Sequence, residues 1–123
     1  MGGLVGDINN RTLTFGSAIL KAITKLPPEP RGWVIAKQLD RAGTSIGANV
    51  WEADAALTDL DFANKISIAR KEAHETEYWL ALSELSKLLP SELLEGLQTE
   101  AVALSKILGS IVRKTQIHVK SKK

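Results

Sequence analysis

Cysteine is absent from this 123-residue chain, which excludes disulfides, thiolate nucleophiles and cysteine-based zinc sites. Histidine is scarce. His74 and His118 are the only imidazoles, and neither belongs to a Glu-x-x-His pair, a motif that di-iron helical bundles need twice. Glu52, Glu72 and Glu75 could form a carboxylate cluster, but without imidazole partners no metal is expected there. Paired acids for sugar chemistry, a glycine-rich phosphate loop and a nucleophile elbow are also missing. The expectation is a protein without catalytic residues, metal or cofactor. Met1 to Arg11 holds Gly2, Gly3, Gly6 and Asp7 and no long apolar run, so it resembles neither a signal peptide nor a membrane span. A soluble cytoplasmic protein with no membrane contact is expected.

What the chain does have is helical periodicity over nearly its whole length. At this size one domain with one core is expected, burying roughly two-thirds of the unfolded surface. Three of the four prolines, Pro27, Pro28 and Pro30, form a stiff connector that a helix cannot cross, and the fourth, Pro90, makes a second stop. A first helix is expected from a Thr12 or Thr14 cap to about Lys25, with Phe15, Ile19 and Ala22 on one face. A second runs from about Arg31 to Ala56. A third, capped at Thr58-Asp59, reaches about Leu89 with Phe62, Ile66, Ala69, Ala73, Thr76 and Leu80 inward. A fourth opens at Ser91 and carries Leu93, Leu94, Leu97, Ala101, Leu104, Leu108 and Ile111. No segment alternates with period two. The predicted fold is all-α, an antiparallel up-down-up-down four-helix bundle over residues 12–115, with an extended or disordered segment at 1–11 and a basic tail at 116–123.

Two faces of the second helix carry information beyond the core. Turning ~100° per residue, Gln38, Arg41, Ser45, Asn49 and Glu52 fall within an arc of about 80°, directly beside Ile35, Leu39, Ala42, Ile46 and Ala53. On the third helix Glu72, Glu75 and Trp79 hold the matching position. Arg41 with Glu72 or Glu75 is the expected pair, because the planar guanidinium can bind a carboxylate through two bonds. The stripe reads as a polar seam between helices, with a solvated face and a ligand site as the alternatives.

On the other side of the same helix Ala36, Gly43 and Gly47 align, with Trp33 and Trp51 beside them at five-turn spacing. Glycine costs a helix about 1 kcal/mol relative to alanine, so a close approach is expected here. Flanking tryptophans suggest self-association through this face, the alternative being that they cover helix ends within one chain.

Charge is unevenly spread. Arg113, Lys114, Lys120, Lys122 and Lys123 are five of the sixteen basic residues, which leaves eleven basic against fourteen acidic residues in 1–112. Basic character is therefore assigned to the C-terminal end. Those five residues read either as a solubilising end or as contacts to an RNA or DNA backbone. With no aromatics interleaved, such contacts would be electrostatic and steeply salt-dependent.

Arg41-Ala42-Gly43-Thr44-Ser45-Ile46-Gly47-Ala48-Asn49 through Glu52-Ala53, together with Asp61-Phe62, Lys65-Ile66, Ile68-Ala69, Lys71-Glu72-Ala73, Glu75-Thr76 and Tyr78-Trp79-Leu80, carry a family resemblance over residues 12–115. The chain resembles the bacterial four-helix-bundle proteins encoded by intervening sequences of large-subunit (23S) ribosomal RNA genes. The resemblance implies a homo-oligomeric bundle, commonly a ring of five subunits, with no assigned enzymatic activity and a role in binding nucleic acid. Similar bundles are accessory proteins of diversity-generating retroelements, where they engage RNA and a reverse transcriptase. The function expected on this basis is binding to structured RNA or a ribonucleoprotein, the alternative being a protein–protein adaptor or accessory subunit of such a partner enzyme.

Overall fold

The computed structural model describes residues 6–121. It contains four helices, α1 (Gly6–Ile23), α2 (Pro30–Asp54), α3 (Asp59–Leu85) and α4 (Ser91–Ser121). Each helix packs on its neighbour in sequence, and α1 closes the bundle against α4. Short connectors make consecutive helices antiparallel.

Helix α1 begins at Gly6, so the expected cap at Thr12 or Thr14 is corrected, and residues 6–11 are helical rather than extended. Ile8 and Phe15, two turns apart, both enter the core and draw this first stretch into the helix, while Asp7 sits favourably at its positive end. Thr12 is 1% exposed, and its hydroxyl donates to the Ile8 carbonyl at 2.8 Å. Thr76, Ser83 and Thr115 do the same, each donating to the carbonyl four residues earlier. A hydroxyl bonded to its own helix can be buried at little cost, so the four polar side chains buried among the described residues are satisfied.

The connectors follow the punctuation. Between α1 and α2 the chain turns at Thr24–Leu26, Leu26 is buried, and Pro30 starts α2 where no intrahelical donor is needed. Gly32 is required here: a Cβ at this position would lie 1.9 Å from the Pro27 carbonyl oxygen. Thr58 caps α3, its hydroxyl accepting from Asp61 N at 3.0 Å.

Helix α3 stops at Leu85 and not near Leu89. Lys87 turns left-handed at φ 55°, Leu88 N donates to the Ser83 carbonyl at 2.9 Å, and Lys87 N donates to Glu84. These two bonds satisfy the last carbonyls and let Leu88 and Leu89 both turn inward. A continued helix would have aimed them ~100° apart.

Helix α4 continues through Ser121, so residues 116–121 extend the bundle instead of forming a separate tail. Ile19, Leu39, Ile46, Ile66, Leu80 and Leu104 are fully enclosed between the four helices, each contributing about 1.5–3 kcal/mol relative to exposure. Among the described residues, no helix is long and apolar enough to cross a membrane.

Candidate nucleic-acid interface

Arg41 leaves α2 and meets α3. Its Nη1 donates to Glu72 Oε2 at 3.2 Å and its Nη2 pairs with Glu75 Oε2, while Nε donates to Gln38 Oε1 at 3.2 Å. Trp79, one turn beyond Glu75, donates its indole N–H to that same Glu75 oxygen at 3.0 Å and meets the Tyr78 ring edge to face. Gln38, Arg41, Glu72, Glu75 and Trp79 thus make one network across α2 and α3. The rest of the expected seam is not part of it. Ser45 and Asn49 donate to the Arg41 and Ser45 carbonyls of their own helix, and Glu52 pairs separately with Lys65 Nζ at 3.1 Å. Glu52 lies eleven residues from Arg41, about 16 Å along α2, which separates it from the other two carboxylates.

The small-residue face of α2 requires a correction. A Cβ on Gly43 would stand 2.8 Å from Ile19 Cγ1, and one on Gly47 would stand 3.2 Å from the Thr12 carbonyl oxygen. Both glycines therefore admit α1 of the same chain, not a second copy. Ala36 is half-buried against the core. Trp33 and Trp51 remain 62% and 64% exposed. Trp51 lines an apolar groove between α1 and α2 with Leu13 and Leu20, both exposed.

The basic residues are redistributed more strongly. Arg113 and Lys114 are neighbours in sequence, but ~100° of helical turn sends them to different sides of α4. Lys114 lines the α1 side with Asp7 and Arg11. Arg113 faces α3, where it joins Arg70, Lys71 and Lys106 around a groove of about 510 Å³. Lys120, seven residues beyond Arg113, continues that stripe with a drift of about 20°. Lys122 and Lys123 lie outside the described residues.

The antiparallel register that opposes these cations is pinned at both ends. His118 Nε2 pairs with Asp59 Oδ2 at 3.1 Å, and the Ser105 hydroxyl donates to Glu77 Oε2 at 2.7 Å. His74 lies at the groove's edge, its Nδ1 3.5 Å from Glu77. None of Arg70, Lys71, Lys106 and Arg113 has a carboxylate partner among the described residues. Arg11, by contrast, is bound by Glu100 through two bonds, and chiefly that hydrogen bonding raises its pKa above the ordinary arginine value.

Sequence reading assigned the positive charge to the C-terminal end and missed Arg70, Lys71 and Lys106. The heptad spacing of Lys106 and Arg113 was a usable signal, since such residues share a helix face. The α3 half of the cluster follows only from the register between two helices.

An antiparallel four-helix bundle with a cation-lined groove places the molecule among small all-helical bundle proteins. The chain belongs to the family described as 23S rRNA-intervening sequence protein, whose sequence model matches residues 7–110. It is 39% identical to a protein of unknown function from the S23 ribosomal protein family of Bacteroides thetaiotaomicron VPI-5482, known from a crystal structure at 1.70 Å resolution. The match covers 85% of this chain and 97% of that one, with a TM-score of 0.80. No curated protein matches the chain.

Proposed function

We propose that this protein binds nucleic acid without catalysis, as a homo-oligomer built as a ring of five subunits, and that its target is structured RNA or a ribonucleoprotein. The observation that carries the reading is the α3–α4 groove, where four cations from two helices stand together without neutralising carboxylates. Phosphate contacts supply most of the affinity of such surfaces. The chain's membership of a family named for an rRNA intervening sequence points to the same class of target.

The exposed apolar groove between α1 and α2, with Trp51, Leu13 and Leu20, supports association with other copies. Asn9 Oδ1, which lines it, is buried and has no donor among the described residues, an acceptor that a neighbouring subunit could satisfy. A ring multiplies weak phosphate contacts because binding at one subunit raises the effective concentration at the next.

The test is fluorescence anisotropy with a labelled RNA hairpin over a series of salt concentrations, with mass measured by light scattering. The expected result is an oligomer whose affinity falls by decades as salt rises. Absence of RNA binding at low salt would overturn the reading. Salt-insensitive capture of a partner enzyme, such as a retroelement reverse transcriptase, would favour the adaptor role instead.

A further inference from the structure

The chain has five arginines, and their partners divide them sharply. Arg11 pairs with Glu100, Arg31 with Glu29, and Arg41 with Glu72 and Glu75. The two left without a carboxylate among the described residues, Arg70 of α3 and Arg113 of α4, are the two that meet. They converge on Gly109: the position that a Cβ would take on this buried glycine lies 3.2 Å from Arg70 Nε and 3.6 Å from Arg113 Nη1. The two nitrogens are therefore no more than about 7 Å apart, close enough to repel appreciably. Lys71 and Lys106 add further positive charge around the same groove.

Among the described residues no carboxylate pairs with either arginine. Glu77, at one end, is already engaged by Ser105 and His74. Glycine is also unfavourable in mid-helix relative to alanine, and here its missing side chain leaves room for the Arg70 guanidinium. Ser67 and Ser105 line the groove beside the cations, with His74 at its edge. The lining therefore suits an oxyanion.

We infer that Arg70 and Arg113, brought together over Gly109, clamp a single phosphate group, supplied by the sugar-phosphate backbone of a bound polynucleotide. The inference rests on the nucleic-acid reading for the source of the phosphate, and on this groove alone for the clamp. Planar guanidinium groups from two helices can each donate paired N–H bonds to one phosphate, a geometry that lysine cannot reproduce.

The experiment uses the full chain and two probes: a labelled RNA hairpin titrated at several salt concentrations, and inorganic phosphate followed through the arginine Nε–H resonances. Arg70→Gln and Arg113→Gln should each weaken RNA binding about tenfold and lower the salt slope by about one. The double variant should also lower the slope by about one, because only one phosphate contact is lost. Gly109→Ala, which leaves the charge unchanged but pushes on Arg70, should weaken binding severalfold, while Arg31→Gln should leave it unchanged. Inorganic phosphate should shift the Arg70 and Arg113 resonances and leave those of Arg11, Arg31 and Arg41 in place.

A slope reduced by about two in the double variant would mean two separate phosphates and would overturn the clamp. RNA binding that no variant affects, with no phosphate-induced shifts, would overturn the clamp and leave nucleic-acid binding standing. Selective phosphate shifts in a protein that binds no RNA would uphold the clamp, assign it to free phosphate, and overturn the nucleic-acid reading.

Discussion

Arg41 and Glu72 form an ion pair at 3.2 Å in which the acid is much the more deeply placed, with 12% of its side chain exposed against 47% for the arginine. The carboxylate sits in the α2–α3 junction and the guanidinium reaches over it from the rim. Removing the arginine would leave Glu72 and Glu75 facing each other with no cation. Solvent at the rim screens the interaction, so the loss is moderate. We expect Arg41→Ala to cost about 1–2 kcal/mol, measured by urea unfolding. An unchanged midpoint would show that the network contributes nothing to stability.

Gly32 and Gly96 should respond in opposite directions to alanine. At Gly32 the added methyl would lie 1.9 Å from the Pro27 carbonyl oxygen, so connector backbone must move. A loss of ~3 kcal/mol is expected. At Gly96, on the exposed side of α4, nothing lies within 4 Å, and a gain of about 0.5–1 kcal/mol should follow from the lower entropy of the unfolded chain. Thermal unfolding of both variants checks the pair together.

Lys87 holds the left-handed turn that ends α3, a conformation that a side chain makes unfavourable by roughly 1–2 kcal/mol. Lys87→Gly should therefore raise stability by up to about 1 kcal/mol, part of the relief being offset by the freer unfolded chain. Lys87→Ala should be close to neutral. If glycine were no better than alanine in chemical denaturation, the turn would not be strained.

Trp51 and Leu13 bound the α1–α2 groove from opposite helices. If copies associate there, Trp51→Glu combined with Leu13→Glu should shift sedimentation from oligomer to monomer, with helicity retained in circular dichroism. Persistence of the oligomer would move the interface to another face.

The fold was legible to a considerable depth in the sequence. Phe62, Ile66, Ala69, Ala73, Thr76 and Leu80 are all buried as their spacing requires, because in a bundle of long helices the period of the apolar residues is itself the packing instruction. The Thr58 cap was readable for the same local reason. The helix ends were less so. Thr12 has the chemistry of a cap, but it satisfies its hydroxyl inside α1, and the left-handed turn at Lys87 uses a residue that no turn rule favours.

By itself the sequence determined the four helices, their antiparallel order, and the placing of Arg41 opposite Glu72 and Glu75, since each depends on positions within one helix or on two helices joined by a short connector. Only the tertiary structure decided which glycines admit α1, and which cations stand together. Arg70 and Arg113 are forty-three positions apart in the chain, and their meeting depends on how far α3 slides along α4. Apolar side chains set that displacement through their combined packing, so no single residue reveals it.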